Sequence, residues 1–289
     1  MGLAGTQQLP TDWKKFIDTT FFAYLPKVKK MRTLFSETNV DPTQITNEYA
    51  RMTQTYAEAT GYSGFGTPIT LAEGSRAVMD DFGTEDGTSS QVSKSLGFRV
   101  DRKLLSSGLP FQRDYVARHS VELMNSIENY VNGALATNMA SNAGQSYSAT
   151  GGTWATTGDP VQDINDAKNS FKKRSGGIDA DFAAIHPDNF TDISNDFRFQ
   201  NTFYSPAGSV LDKGVLTPKP LGLDWVVETA VTKGTFFMGK KGMFGRLLIS
   251  ENYKTYETTE GAAGNTYEAV FSYVDQYPLP YYLMYGTGI

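Results

Sequence analysis

The sequence predicts an α+β chain, and three observations carry that expectation. Residues 111–143 repeat apolar side chains at helical spacing over about thirty positions with no proline among them. Residues 215–289 break into short apolar and aromatic runs separated by Gly, Lys-Gly and Gly-Asn turns, the mark of successive strands. Twelve prolines and 28 glycines among 289 residues supply the turns that such strands need.

Composition narrows the function classes. Hydrophobic residues make up 39% and aromatics 13%, enough to bury a core, so the chain is not disordered. A net charge of −5 argues against nucleic-acid binding by bulk charge. The absence of cysteine excludes disulfides, thiol catalysis and Cys-based metal sites. His119 and His186 lie far apart without metal-ligand spacing, and lone histidines of this kind are ordinarily structural. No cofactor is expected. No apolar run is long enough to span a membrane. The opening "MGLAGTQQLP" lacks a signal-peptide layout. It matches the myristoylation pattern at Met1, Gly2 and Thr6, but that pattern is short and common by chance, and an unstructured start is the plainer reading.

In chain order, Asp12 suits the N-cap of a short amphipathic helix expected to end before Pro26. A basic cluster follows, Lys27, Lys29, Lys30 and Arg32, either as a solvated face or as a contact for phosphate. Residues 49–103 read as extended pieces between closely spaced glycines, a long hairpin with little core of its own. Such an arm must lean on something, which argues for assembly. Its polar stretch "GTEDGTSSQ" reads as a loop tip or turn.

The helix over 111–143 places Val116, Leu123, Ile127, Tyr130 and Ala134 in one row, with Val131 and Leu135 beside it. Gly133 is its weak spot and Gly144 its natural C-cap. At 1.5 Å per residue it spans roughly 45 Å, long for a chain of this size. Residues 144–160 read as a small-residue linker. Asp159 and Pro160 then suit the N-cap and first position of a second helix, which Gly176-Gly177 ends after Lys172, Lys173 and Arg174. "ADFAAIHP" reads as a short strand and "PDNFTDISND" as a turn with one more short helix.

Residues 234–241, "GTFFMGKK", fall one residue short of a phosphate-binding P-loop. Lys241 stands where a Ser or Thr would hold Mg²⁺, the interior "TFFM" is bulky, and "GMFGRLLIS" leads into a strand rather than a helix. The better reading puts Gly234 at a turn, Thr235–Met238 on a strand and "GKKG" in a tight turn, as part of a meander.

"KPLGLDWVVETAVTKGTFFMGKKGMFG", residues 219–245, resembles a stretch of tailed-phage major capsid proteins of the Hong Kong 97 type. The segment around "GFRVDRKLL" and the closing "QYPLPYYLMYG" are similar to that family too, and the element order follows it over nearly the whole chain. The resemblance implies an α+β Hong Kong 97-type capsid fold. Its parts would be an N-terminal arm at 1–48 and an extended E-loop hairpin at 49–98. A P-domain with the long spine helix would begin at 99–145, an A-domain would occupy 146–247, and the closing P-domain strands of an antiparallel sheet would be 248–289.

The function so implied is self-assembly, through pentamers and hexamers, into an icosahedral shell of a bacteriophage virion that encloses double-stranded DNA without sequence-specific binding. Assembly would take place in the host cytoplasm, with scaffolding, portal and decoration proteins as partners. No long charged segment precedes the arm, so scaffolding would be a separate protein or this would be a mature form. Some family members crosslink through an E-loop lysine, but Lys94 lies near the end of the arm, and crosslinking is not carried over. Asp80, Asp81, Phe82, Glu85 and Asp86 are the candidate assembly residues at the E-loop tip, either meeting a basic patch on the next subunit or forming a solvated loop. The Lys27, Lys29, Lys30 and Arg32 cluster would face the lumen. Two other classes stand beside this one. An encapsulin-like compartment shares the fold. A strand-rich enzyme would use carboxylate pairs such as Asp80/Asp81 or Glu257/Glu260, all in polar, turn-like surroundings.

Overall fold

The computed structural model describes residues 13–42, 48–52, 56–57, 61–62, 84–101, 110–196, 198–199, 219–259 and 264–289. Its longest element is helix α2, Pro110–Asn142, of 33 residues. Val116, Leu123, Ile127, Val131 and Leu135 form its buried stripe, joined by Met124 and Met139. Tyr130, expected in that stripe, instead points to water. From Ile127 the buried row continues through Val131 and Leu135 at four-residue steps, which leaves Tyr130 on the flank. Gly133 interrupts nothing, because a side chain there would meet no other atom within 4 Å.

Helix α1, Trp13–Val28, packs its buried Ile17 and Phe21 into the core shared with α2. It runs through Pro26 rather than stopping before it, and Lys29 N–H still donates to Leu25 C=O at 3.0 Å. A proline in the last turn removes a single donor, and packing upstream outweighs that loss. Asp12, the expected cap, lies outside the described residues.

Two sheets carry the rest. The first has four strands in the order β1-β11-β12-β6, namely Ser36–Asn39, Arg246–Thr259, Gly264–Gln276 and Val92–Asp101. Only the β1 pairing is parallel. Residues 246–259, within the region expected to break into short strands, are one 14-residue strand whose register shifts between Ile249 and Lys254. Tyr253 sits in that irregular stretch at φ 53°. A bulge bends a strand without ending it.

The second sheet has five strands in the order β7-β13-β10-β8-β9: Gln145–Ser148, Leu283–Thr287, Thr235–Gly239, Phe182–Ile185 and Asp224–Val227. The expected linker at 144–160 therefore opens with a strand, parallel to β13. Gly144 serves that turn rather than capping α2, its N–H donating to Pro280 C=O at 2.9 Å. Helix α3, Pro160–Arg174, begins as expected, with Asp159 accepting from the Gln162 N–H at 3.0 Å. Helix α4, Pro187–Ser194, follows β8 directly. Two small antiparallel pairs complete the chain: β2 (Glu48–Met52) with β5 (Thr84–Thr88), and β3 (Tyr56–Ala57) with β4 (Gly61–Tyr62). Residues of both large sheets and of α1, α2 and α3 share one apolar core.

Candidate assembly surfaces and the joint beneath them

Residues 234–241 are not a phosphate loop. Thr235–Gly239 is the central strand of the second sheet, buried along its whole length and paired on both sides with β13 and β8. The Thr235 N–H donates to the Thr232 carbonyl at 3.1 Å, the strand beyond it is paired on both sides, and Lys240 is held by Asp181 at 3.1 Å. The histidines are structural. His186 Nδ1 accepts from the Asp188 N–H at 3.1 Å and caps α4. His119 packs edge-on to Tyr115 at 4.1 Å and bonds Glu122 at 3.1 Å. Among the described residues no three His, Cys, Asp or Glu side chains gather to hold a metal.

The acidic stretch splits. Asp80, Asp81 and Phe82 lie outside the described residues. Glu85 and Asp86 are on strand β5, opposite Arg51 and Ala50 of β2, and Glu85 pairs with Arg51 at 3.4 Å. They are therefore on a strand, and residues 84–88 of "GTEDGTSSQ" are not a turn. Exposed Thr, Glu and Asp adopt strand geometry here because β2 offers an antiparallel edge. Tyr49 of β2 lies against the bare backbone of Gly87, where a Cβ would come within 2.6 Å of the ring. Glu257, the described half of the second carboxylate pair, is exposed and accepts from the Tyr267 hydroxyl at 3.1 Å, while Glu260 lies outside the described residues.

The basic cluster is not one face. Arg32 is fully buried, with its guanidinium bonded to Glu128, its Nε 3.1 Å from Glu37, and its plane 4.3 Å above the Phe271 ring. Lys29 pairs with Glu37. Lys30 is exposed and reaches Glu228 at 3.3 Å and the Val227 carbonyl at 3.1 Å. The Lys27 side chain lies outside the described residues. One residue of the expected luminal patch is thus core, because its partner carboxylate lies 96 positions away and no local pattern reveals it.

These contacts form a joint. The segment after α1 is held by Glu128 and Asn132 of α2, by β11 and by the end of β9. Tyr253 of β11 donates to Glu128 at 2.6 Å, and Asn132 accepts from the Met31 N–H at 3.2 Å. Burial, and then the Glu128 charge, pushes the Tyr253 phenol well above its ordinary pKa. The sequence carried one sign of this joint: Glu128 lies inside the apolar stripe of α2, one helical turn from Met124 and from Val131.

Large apolar side chains remain in water elsewhere. Phe22 of α1 is 61% exposed, Tyr130 of α2 51% and Leu96 of β6 45%. Lys94, two residues before Leu96 on the same strand face, sits 4.0 Å over the Tyr130 ring. Among the described residues β1 and β6 are the edges of their sheet, and β6 is mostly exposed over residues 92–99. No helix among the described residues is long and apolar enough to cross a membrane.

A model of the family described as phage capsid protein matches residues 84–276. No curated protein sequence matches the chain. Among solved structures it is similar to a virus-like particle from Pyrococcus furiosus, at 10% identity and a TM-score of 0.59, over 95% of this chain and 99% of that one. It is similar to the mature capsid of bacteriophage PhiM1, at 9% identity and a TM-score of 0.58, over 89% and 86%. The SrpI encapsulin of Synechococcus elongatus PCC 7942 also matches, at 12% identity and a TM-score of 0.53, over 100% and 92%. The α+β Hong Kong 97-type capsid fold expected from the sequence is the fold of this chain.

Proposed function

The chain belongs to the phage capsid protein family and is a structural, shell-forming protein, and from that premise we propose that it is a major capsid protein whose copies close into an icosahedral shell around double-stranded DNA. The observation that carries the finer reading is the family match over 84–276, which takes in the β5 and β6 arm, the spine helix and every strand of the two large sheets except β1 and β13. The arm supports it physically. The β2–β5 pair is two-stranded, and a two-stranded hairpin is marginal by itself, so the pairs at 48–88 gain stability when a neighbouring copy covers them. Exposed Phe22, Leu96 and Tyr130 supply apolar area for such contacts. Many contacts of ordinary strength then hold a shell by multivalency.

The same reading divides the chain into an N-terminal arm (1–48), an E-loop (49–98), a P-domain in two parts (99–145 and 248–289) and an A-domain (146–247). Pentamers and hexamers are the intermediates, formed in the host cytoplasm with scaffolding, portal and decoration proteins as partners. Asp80, Asp81, Phe82, Glu85 and Asp86 would contribute to the contact with the next subunit, and Lys30 is the exposed cation that a luminal face would present. The likeness to an encapsulin over the whole chain favours one alternative, a compartment that encloses protein rather than DNA.

Size-exclusion chromatography with light scattering, followed by negative-stain microscopy, tests the proposal. Closed shells that carry nucleic acid support it. Shells that carry protein and no nucleic acid favour the compartment. A 31.7 kDa monomer that persists with salt, crowding agent and a scaffolding partner overturns both.

A further inference from the structure

A cavity of about 310 Å³ opens where the β2–β5 pair meets the body of the molecule. Tyr49 and Ser89 line it from the arm, Asn138 and Asn142 from α2, and Asp275 and Tyr277 from the end of β12 and beyond. Its chemistry is incomplete. Asp275 is 4% exposed; its carboxylate receives the Asn138 amide at 2.8 Å and lies beside the Tyr277 hydroxyl, and no cation pairs with it among the described residues. The Ser89 hydroxyl is buried without a partner, and the buried Tyr277 hydroxyl leans on the Asp275 carboxylate beside it. Burial, then the Asp275 charge and a hydrogen bond to that carboxylate, hold the Tyr277 phenol well above its ordinary pKa, so it stays a neutral O–H whose oxygen can still accept. Arg51 reaches the cavity rim at Asn142, whose amide oxygen accepts from it at 3.3 Å, and it pairs with Glu85 at 3.4 Å rather than with Asp275.

A buried carboxylate without a counter-charge is costly, and a buried hydroxyl without a partner calls for one. All the donors and acceptors here are oxygen or amide groups, with no His or Cys to select a transition metal. The volume equals about ten waters at ~30 Å³ each and lies at the lower end of small-molecule sites, so a single bare ion would leave it mostly empty. We infer that this cavity binds an organic cation, an alkylammonium or guanidinium group, whose charge pairs with Asp275 while its N–H groups reach the Tyr277 and Ser89 oxygens. Such a ligand would touch the arm, α2 and β12 together, and would tie the arm to the body. The group could come from a free amine or from a Lys or Arg side chain of a second copy of the chain.

The test titrates n-butylammonium and ethylguanidinium chloride into the unassembled full-length chain, read by calorimetry and by the thermal midpoint. Both should bind saturably at one site and raise the midpoint, whereas tetramethylammonium, which has no N–H, should not. Asp275→Asn should weaken binding by about tenfold or more, as the loss of a charged hydrogen bond does. Ser89→Leu fills the cavity from its half-buried rim without touching Asp275 and should block binding even if Asp275→Asn fails to fold. Absence of saturable binding, unchanged affinity in the variants, or equally strong competition from potassium or calcium overturns the inference. Repeating the titration on assembled shells separates the sources. Retained binding identifies a free amine. Lost binding identifies a basic side chain of a neighbouring copy.

Discussion

Arg32 and Glu128 stand 96 positions apart and form a fully buried ion pair, with Tyr253 donating to the same carboxylate. The pair ties the segment after α1 to the middle of the spine helix, and the phenol extends the tie to the long strand β11.

Removing one partner of a buried pair leaves the other charge uncompensated, which costs about 3–5 kcal/mol. Glu128→Gln should therefore lower the unfolding free energy of the unassembled chain by about 3 kcal/mol, at the low end because Glu37 still contacts Arg32. Replacing both together, Arg32→Met with Glu128→Leu, should restore most of that loss. Tyr253→Phe should cost about 1 kcal/mol, the ordinary worth of one hydrogen bond. Denaturant titration distinguishes the three. A double variant no more stable than Glu128→Gln alone would show that the joint does not rest on charge.

Asp159 caps α3 and is clasped by Arg198 at 3.0 Å through Nη1. Asp159→Ala should cost about 1 kcal/mol through the cap. The hydrogen bonds from Arg198 hold the Asp159 carboxyl below its ordinary pKa. A depressed carboxylate contributes stability above its unfolded pKa of about 3.8 and loses that contribution as pH falls through the folded value. In Arg198→Ala, carboxyl NMR titration should show the Asp159 pKa moving up toward the usual range.

Four phenols should make the fold sensitive to alkali. Burial, first, and then Asp163 push Tyr147 up to about 12, and burial also raises Tyr253, Tyr273 and Tyr277. In the unfolded chain these groups ionise near pH 10. Stability is thus fully present below about pH 10 and falls as pH rises toward 12, while the unfolded chain releases protons that the folded one keeps. Thermal midpoints followed from pH 9 upward, with phenolate absorbance recorded in parallel, should show late ionisation that coincides with unfolding.

Leu96→Glu and Tyr130→Glu probe the exposed apolar surface. Each residue is about half exposed in the isolated subunit, so stability should change by no more than about 0.5 kcal/mol. If neighbouring copies cover this face, assembly yield by light scattering should nevertheless drop sharply in both. Shells formed at the unmutated yield would remove Leu96 and Tyr130 from the subunit contacts.

Periodicity and local chain chemistry were enough to read most elements. The stripe from Val116 to Leu135 set α2, Asp159-Pro160 set the start of α3, and a bulky apolar run set β10 inside the motif that imitates a phosphate loop. These features depend on neighbours three or four positions away, so a linear reading suffices. The joint, the register and the cavity depend on contacts across the chain. Arg32 read as a surface cation until Glu128 met it, Glu85 and Asp86 read as a tip until β2 paired with them, and 145–148 read as linker until β13 lay alongside. Asp275 showed no sign of isolation in the sequence, because the absence of a counter-charge is a property of everything packed around it. Composition and spacing determined which elements form. Tertiary packing alone decided which charges are buried and which partners they find, since burial and pairing are set by atoms that meet only after the chain has folded.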